Sequence, residues 1–216
     1  MAYTREQLLE RGPQPERRGR HLDEIAFPLG GIGTGSISLG GWGQLRDWEI
    51  RNRPAKGFHP PQTFFTIKVQ EGKKPPVTRV LQGPAGGPRV AGGHSAPTGL
   101  GQGLPHFREV SFRGEFPLAT VTLSDPTMPV TVVLEATNPF IPLNDRDSSL
   151  PVAILRYQVT NTGGQPLQVT LFGNLANIIG PREGRVNEAR TRDGLTGLCL
   201  SNAQCAPETP EYGTLV

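Results

Sequence analysis

Ala119-Thr120-Val121-Thr122-Leu123-Ser124-Asp125-Pro126-Thr127-Met128-Pro129-Val130-Thr131-Val132-Val133-Leu134-Glu135 reads as two strands around a short turn. Ala119, Val121 and Leu123 alternate with threonines. Val130, Val132 and Leu134 alternate with Thr131, Val133 and Glu135. Alternation of period two sends one set of side chains to a buried face and the other to solvent or a second layer. The residues between are turn formers, and the two prolines there cannot extend a ladder.

The same period appears on both sides of this hairpin. Ile37 and Leu39 alternate with serines. Phe65, Ile67 and Val69 alternate with Thr66 and Lys68. Ala153, Leu155, Tyr157 and Val159 form another set, and Leu167, Val169 and Leu171 a further one, with Asn161-Thr162-Gly163-Gly164-Gln165-Pro166 as the turn between them. No long helical period separates the strands, so the pattern predicts an antiparallel β-sandwich and not a parallel α/β sheet. Thr4-Arg5-Glu6-Gln7 reads as a capping box, opening a short helix near residues 5–11 that Gly12-Pro13 stops. The expected fold is therefore all-β: a sandwich with a short N-terminal helix and long Gly/Pro-rich loops. Residues 1–24 form the helix and lead-in, and residues 25–216 the sandwich domain. Glu71 to Pro105 is expected to be mostly one long loop. Tyr212 to Val216 reads as the start of a strand with no closing turn, which predicts a domain cut off at its C-terminal end.

The chain has 28 glycines and 22 prolines in 216 residues, roughly double ordinary usage, which suits many tight turns. Net charge is only +3 and the basic residues are scattered. A nucleic-acid partner, which calls for a concentrated basic stripe, is not expected. No run approaches the ~20 apolar residues of a membrane span. The polar stretch Met1 to Arg20 lacks the apolar segment of a secretory signal, so the expected location is cytoplasmic. Cys199 and Cys205 match no zinc or redox spacing and are expected to be free thiols. His21, His59, His94 and His106 stand far apart, so no metal site is expected, and no cofactor motif is found.

The densest stretch is Phe27 to Pro54. Its glycines satisfy neither dinucleotide nor P-loop spacing, since strand-like Ser36-Ile37-Ser38-Leu39 follows where a helix is needed. Gly30, Gly31, Gly33 and Gly35 are expected instead to make tight turns and let another backbone approach closely. Asp47 and Glu49, two apart, share a face if this segment is extended. Glycosidases use paired carboxylates, but neighbours on one strand point the same way and cannot attack an anomeric centre from two directions. A polar network fixing the strand is the simpler reading. Arg46, Asp47, Trp48, Glu49, Asn52 and Arg53 are therefore candidates for an interdomain surface or an active-site rim, and none is a candidate catalytic residue. Trp42 and Trp48 fit a core or interface role, with stacking on a sugar as the alternative.

This stretch resembles the N-terminal domain of glycoside hydrolase family 116, the β-glucosidase and non-lysosomal glucosylceramidase family. Later motifs continue the resemblance: Gly57-Phe58, Phe64-Phe65, Gly103-Leu104-Pro105-His106-Phe107-Arg108-Glu109, Phe112-Arg113-Gly114-Glu115-Phe116-Pro117, Leu134-Glu135-Ala136-Thr137-Asn138-Pro139-Phe140-Ile141-Pro142-Leu143 and Asp147-Ser148-Ser149-Leu150-Pro151-Val152. It implies a β-sandwich packed on an (α/α)6 barrel. That barrel carries the glutamate nucleophile and aspartate acid/base for retaining hydrolysis of β-glucosides, and most of the sugar-binding residues. None of the barrel's motifs occurs in this sequence. The implied partner is that C-terminal helical domain of the same polypeptide, with β-glucoside reached only through it, and the isolated chain is expected to be inactive. A freestanding carbohydrate-binding module and a structural interaction domain are the alternatives.

Overall fold

A computed structural model describes residues 4–10, 12, 14–50, 53–84, 101 and 103–213. Its fold is all-β, with strands in four antiparallel sheets among the described residues. The hairpin quoted above becomes β7 (Leu118–Ser124) and β8 (Val130–Thr137), at the centre of a four-stranded meander. β6 (Glu109–Glu115) pairs on one side and β9 (Ile154–Asn161) on the other. Residues of β8 alternate strictly between buried and half-buried, as the period requires. Val121, Leu123, Val130, Val132, Leu134 and Ala136 form the inner face.

The opposite layer is built from two smaller sheets. One is β1 (Ala26–Leu29), β2 (Gly35–Gly40) and β3 (Leu45–Ile50); the other runs β10 (Leu167–Asn174), β4 (Phe64–Glu71), β5 (Val77–Val80). Leu29, Leu39, Ile67 and Val69 from this layer join the meander's inner face in one core cluster. Leu22, from a 3-10 turn at Gly19–Leu22, is buried in the same cluster, and Arg17 exchanges backbone bonds of 2.7 and 3.0 Å with Phe112. Burying each such side chain contributes about 1.5–3 kcal/mol. The layers are also stitched by charge. Asp125, in the β7–β8 turn, accepts from the Arg79 Nε of β5 at 3.2 Å and from the Thr127 amide at 2.8 Å. Burial pushes the Asp125 carboxyl up. The Thr127 hydroxyl and amide and the Arg79 guanidinium outweigh it, and the carboxyl sits below the ordinary aspartate range.

A final hairpin, β11 (Arg185–Arg192) with β12 (Leu195–Asn202), forms its own two-stranded sheet. Asn202 fastens its base by donating to the Ile179 and Pro181 carbonyls at 2.9 and 2.7 Å. Cys199 and Cys205 are both free thiols. β9 and β10 are edge strands, and the inward positions Val169 and Leu171 of β10 stay partly exposed.

One expectation is corrected and one refined. Most described residues of Glu71–Pro105 lie outside strands, as expected, but one short strand interrupts them. After a turn at Gly72, Val77–Val80 pairs with β4 as β5, a four-residue strand too short for alternation to reveal. His106 then bridges to Val80, and its ring nitrogens face the carbonyls of Gly83 and Gly101 at 2.9 and 3.1 Å. Residues 85–100 of that expected loop lie outside the described residues. Tyr212 and Gly213 are not in a strand, and residues 214–216 lie outside the described residues. Helix α1 spans Arg5–Leu9, while the Gln7 side chain of the capping box lies outside what is described. A second short helix, α2 (Asp145–Ser148), was not foreseen; the Asn144 side chain caps it by accepting from the Asp147 amide.

Candidate functional site

Residues 30–34 join β1 to β2, and the glycines there serve different ends. Gly30 and Gly33 take φ of +132° and +73°, where side chains are rarely accommodated. Gly31 is needed for space. A Cβ on it would collide with the Leu150 carbonyl oxygen and come within 2.6 and 2.7 Å of the Ser149 carbonyl carbon and oxygen. The loop thus presses backbone to backbone on the β8–β9 connection. The Ile32 amide donates to the Ser148 carbonyl at 2.9 Å. Buried Asn138 completes the joint: its Oδ1 accepts from the Gly30 amide at 2.7 Å, and its Nδ2 donates to the Pro28 carbonyl at 2.6 Å. Gly33 has open space around its Cβ position, and Gly35, at φ +89°, returns the chain into β2.

Beside this joint lies an open groove of about 320 Å³. Gly30, Thr34, Gly35 and Ser36 line it together with apolar Leu29, Ile37, Ile50, Pro151, Val152 and Ile179, and with Tyr212. Among the described residues, its lining holds no carboxylate, imidazole or thiol. Such a surface can hold an apolar group but supplies no acid–base pair for bond cleavage.

The polar cluster is arranged by a β-bulge. Ser36 pairs with Glu49 and Ser38 with Arg46, so Asp47 and Trp48 together oppose Ile37. Asp47 occupies the left-handed position at φ +49°, which aspartate tolerates better than most residues because its carboxylate bonds locally. That carboxylate is buried. It accepts from the Gly57 amide at 2.6 Å and pairs with Arg46 Nε at 3.2 Å. Glu49 accepts from the Ala55 amide at 3.1 Å and from Lys56 Nζ at 2.6 Å. The Lys56 hydrogen bond, then the Ala55 amide, hold the Glu49 carboxyl below its usual range, and Glu49 in turn raises Lys56. Both carboxylates therefore grip one loop, Ala55–Gly57. Trp48 is buried, its amide donates to the Phe58 carbonyl at 3.0 Å, and its indole nitrogen has no partner among the described residues. Arg53 stands apart, 3.5 Å from Glu211. Asn52 lies outside the described residues.

A family model described as beta-glucosidase 2, glycosyl-hydrolase family 116 N-term, matches residues 26–216. The chain belongs to glycosyl-hydrolase family 116. In this family 116 domain the structure brings Arg46, Asp47, Trp48 and Glu49 together around the 55–58 loop and places Gly30 and Gly31 at the separate joint with residues 138–150. Asn138 and Ser148 are the joint's partners that sequence reasoning missed. They lie more than a hundred residues from the glycines, and no local spacing reports such a contact. Among the described residues of the family 116 domain, no three His, Cys, Asp or Glu side chains group as metal ligands. No helix there is long and apolar enough to cross a membrane.

Proposed function

We propose that this chain is the N-terminal sandwich of a β-glucosidase or glucosylceramidase polypeptide and braces a helical catalytic domain that performs retaining hydrolysis of β-glucosides. The observation that carries this reading is the family 116 N-terminal match across residues 26–216. The chemistry of the chain supports it. Asp47 and Glu49 are both committed to holding residues 55–57, and among the described residues the groove is lined without an acid–base pair. Arg46, Asp47, Trp48, Glu49 and Arg53 act in this reading by setting the shape of the 45–58 region, and the sandwich contributes no catalytic group.

The test compares the 216-residue chain with the longer polypeptide on an aryl β-glucoside. The expected result is hydrolysis by the longer polypeptide and none by the 216-residue chain. Hydrolysis by the short chain that disappears in Asp47→Asn or Glu49→Gln would overturn the reading. A carbohydrate-binding role is favoured by one observation: exposed Tyr212 lines the same groove as Thr34 and Ser36, an arrangement suited to a sugar ring. Saturable binding of glucosides by the short chain, lost in Tyr212→Ala, would favour that role.

A further inference from the structure

We infer that the domain docks its partner through one apolar end of the sandwich, and not through the Arg46–Arg53 cluster. The inference rests on the reading above and names the surface that the C-terminal part of the same polypeptide covers.

The end is assembled from three connections that the backbone holds together. The 30–34 loop is tied to the β8–β9 connection by the Ile32–Ser148 bond and the Gly31 contact with Ser149 and Leu150. The β6–β7 turn is tied to it by the Asn138 amide, which donates to the Pro117 carbonyl at 3.1 Å, and by the Phe116 and Phe140 rings, 5.1 Å apart. Each connection leaves large apolar side chains in water: Ile32 on the first, Phe116 and Leu118 around the second, and Ile141, Leu143 and Leu150 on the third. Leu143 is fully exposed, at a left-handed φ of +65° that holds it on a tight turn. Scattered exposed leucines are ordinary, but a contiguous group on neighbouring loops marks an interaction site.

Two further observations commit this end to one occupant. The groove adjoins it, sharing Gly30, Pro151 and Val152 with these connections, and Tyr212 and Gly213 line that groove. Gly213, the last described residue, lies at this groove, so a domain that follows it would be tethered beside the apolar group at high effective concentration. The Arg46–Arg53 cluster offers the opposite character. Among its described residues, both carboxylates are engaged by residues 55–57 and Trp48 is buried, so neither carboxylate nor the indole is presented to a partner.

The experiment is side-chain footprinting by carbene labelling of the longer polypeptide and of the 216-residue chain, with Leu143→Glu and Leu195→Glu as variants. Leu195 is also a well-exposed leucine, on the separate β11–β12 hairpin. Expected is at least fivefold lower labelling of Phe116, Ile141 and Leu150 in the longer polypeptide than in the short chain. Leu143→Glu should restore labelling and split a single melting transition into two, and Leu195→Glu should do neither. Equal labelling in both polypeptides overturns the inference, as does protection that appears in the short chain with rising concentration, which would mean a second copy covers the end. β-Glucoside hydrolysis with an uncovered end would sink this inference alone. A covered end without hydrolysis would support the docking surface and sink the catalytic reading instead.

Discussion

Gly31→Ala is the sharpest test of the joint between the 30–34 loop and the β8–β9 connection. The added methyl would lie 2.6 and 2.7 Å from the Ser149 carbonyl atoms, where ordinary contact begins at 3.4 Å. The obstacle is backbone, the Leu150 carbonyl oxygen nearest of all, which no rotamer change removes, so one segment must retreat by roughly 1 Å. Overpacking of this kind costs about 1–3 kcal/mol. The retreat also breaks the Ile32–Ser148 bond of 2.9 Å, worth about 1 kcal/mol. The expected loss is about 2–4 kcal/mol, read by urea unfolding with the midpoint moving at unchanged slope. In thermal unfolding it corresponds to about 10 °C for a domain of this size. Gly33→Ala is the comparison, because its Cβ position is open and only its φ of +73° is strained; about 1–2 kcal/mol is expected. If Gly31→Ala unfolds within 0.5 kcal/mol of the parent, or Gly33→Ala is the worse of the two, the close contact described here is wrong.

Other outcomes follow from the same structure. Asp47→Ala leaves the Gly57 amide without its buried acceptor and Arg46 without its partner, and should cost about 2–3 kcal/mol in urea unfolding. Asp47→Asn keeps an acceptor and tolerates the left-handed turn, so it should cost less than half as much; equal losses would refute the bulge geometry. Asp125 has a lowered pKa in the folded state. Its stabilisation is therefore complete above the unfolded aspartate value of about 3.9 and disappears as pH falls through the lower folded value. Asp125→Asn should flatten the acid limb of a stability–pH curve below about pH 5, and an unchanged limb would contradict the assignment. Leu134, fully buried in β8, should lose about 2–5 kcal/mol on change to alanine.

The sequence made the central strands plain because nothing disturbs their period. β7 and β8 keep every second residue buried along their length, and each repeat reinforces the reading. β3 was opaque for the opposite reason. Its buried residues are adjacent, Asp47 and Trp48, with half-buried neighbours on both sides, because the bulge adds a residue and breaks the period where the polar cluster sits. β10 shows a third case: its alternation is clear, yet Val169 and Leu171 remain partly exposed because an edge strand has a neighbour on one side only. At the candidate site, the glycines announced a need for unusual backbone, but Gly31 depends on Ser149 and Gly30 on Asn138. Contacts between distant segments leave no mark on local pattern.

The bulge at Asp47 also has a bearing on how relatives should be aligned with this chain. Deleting that one residue would let Trp48 face Ile37 while Ser36 still meets Glu49 and Ser38 still meets Arg46, so the ladder closes with no slippage on either side. A homologue one residue shorter in this region is best given its gap at position 47. Placing the gap in the flanking turns instead would shift every later pairing by one and wrongly exchange inward for outward residues.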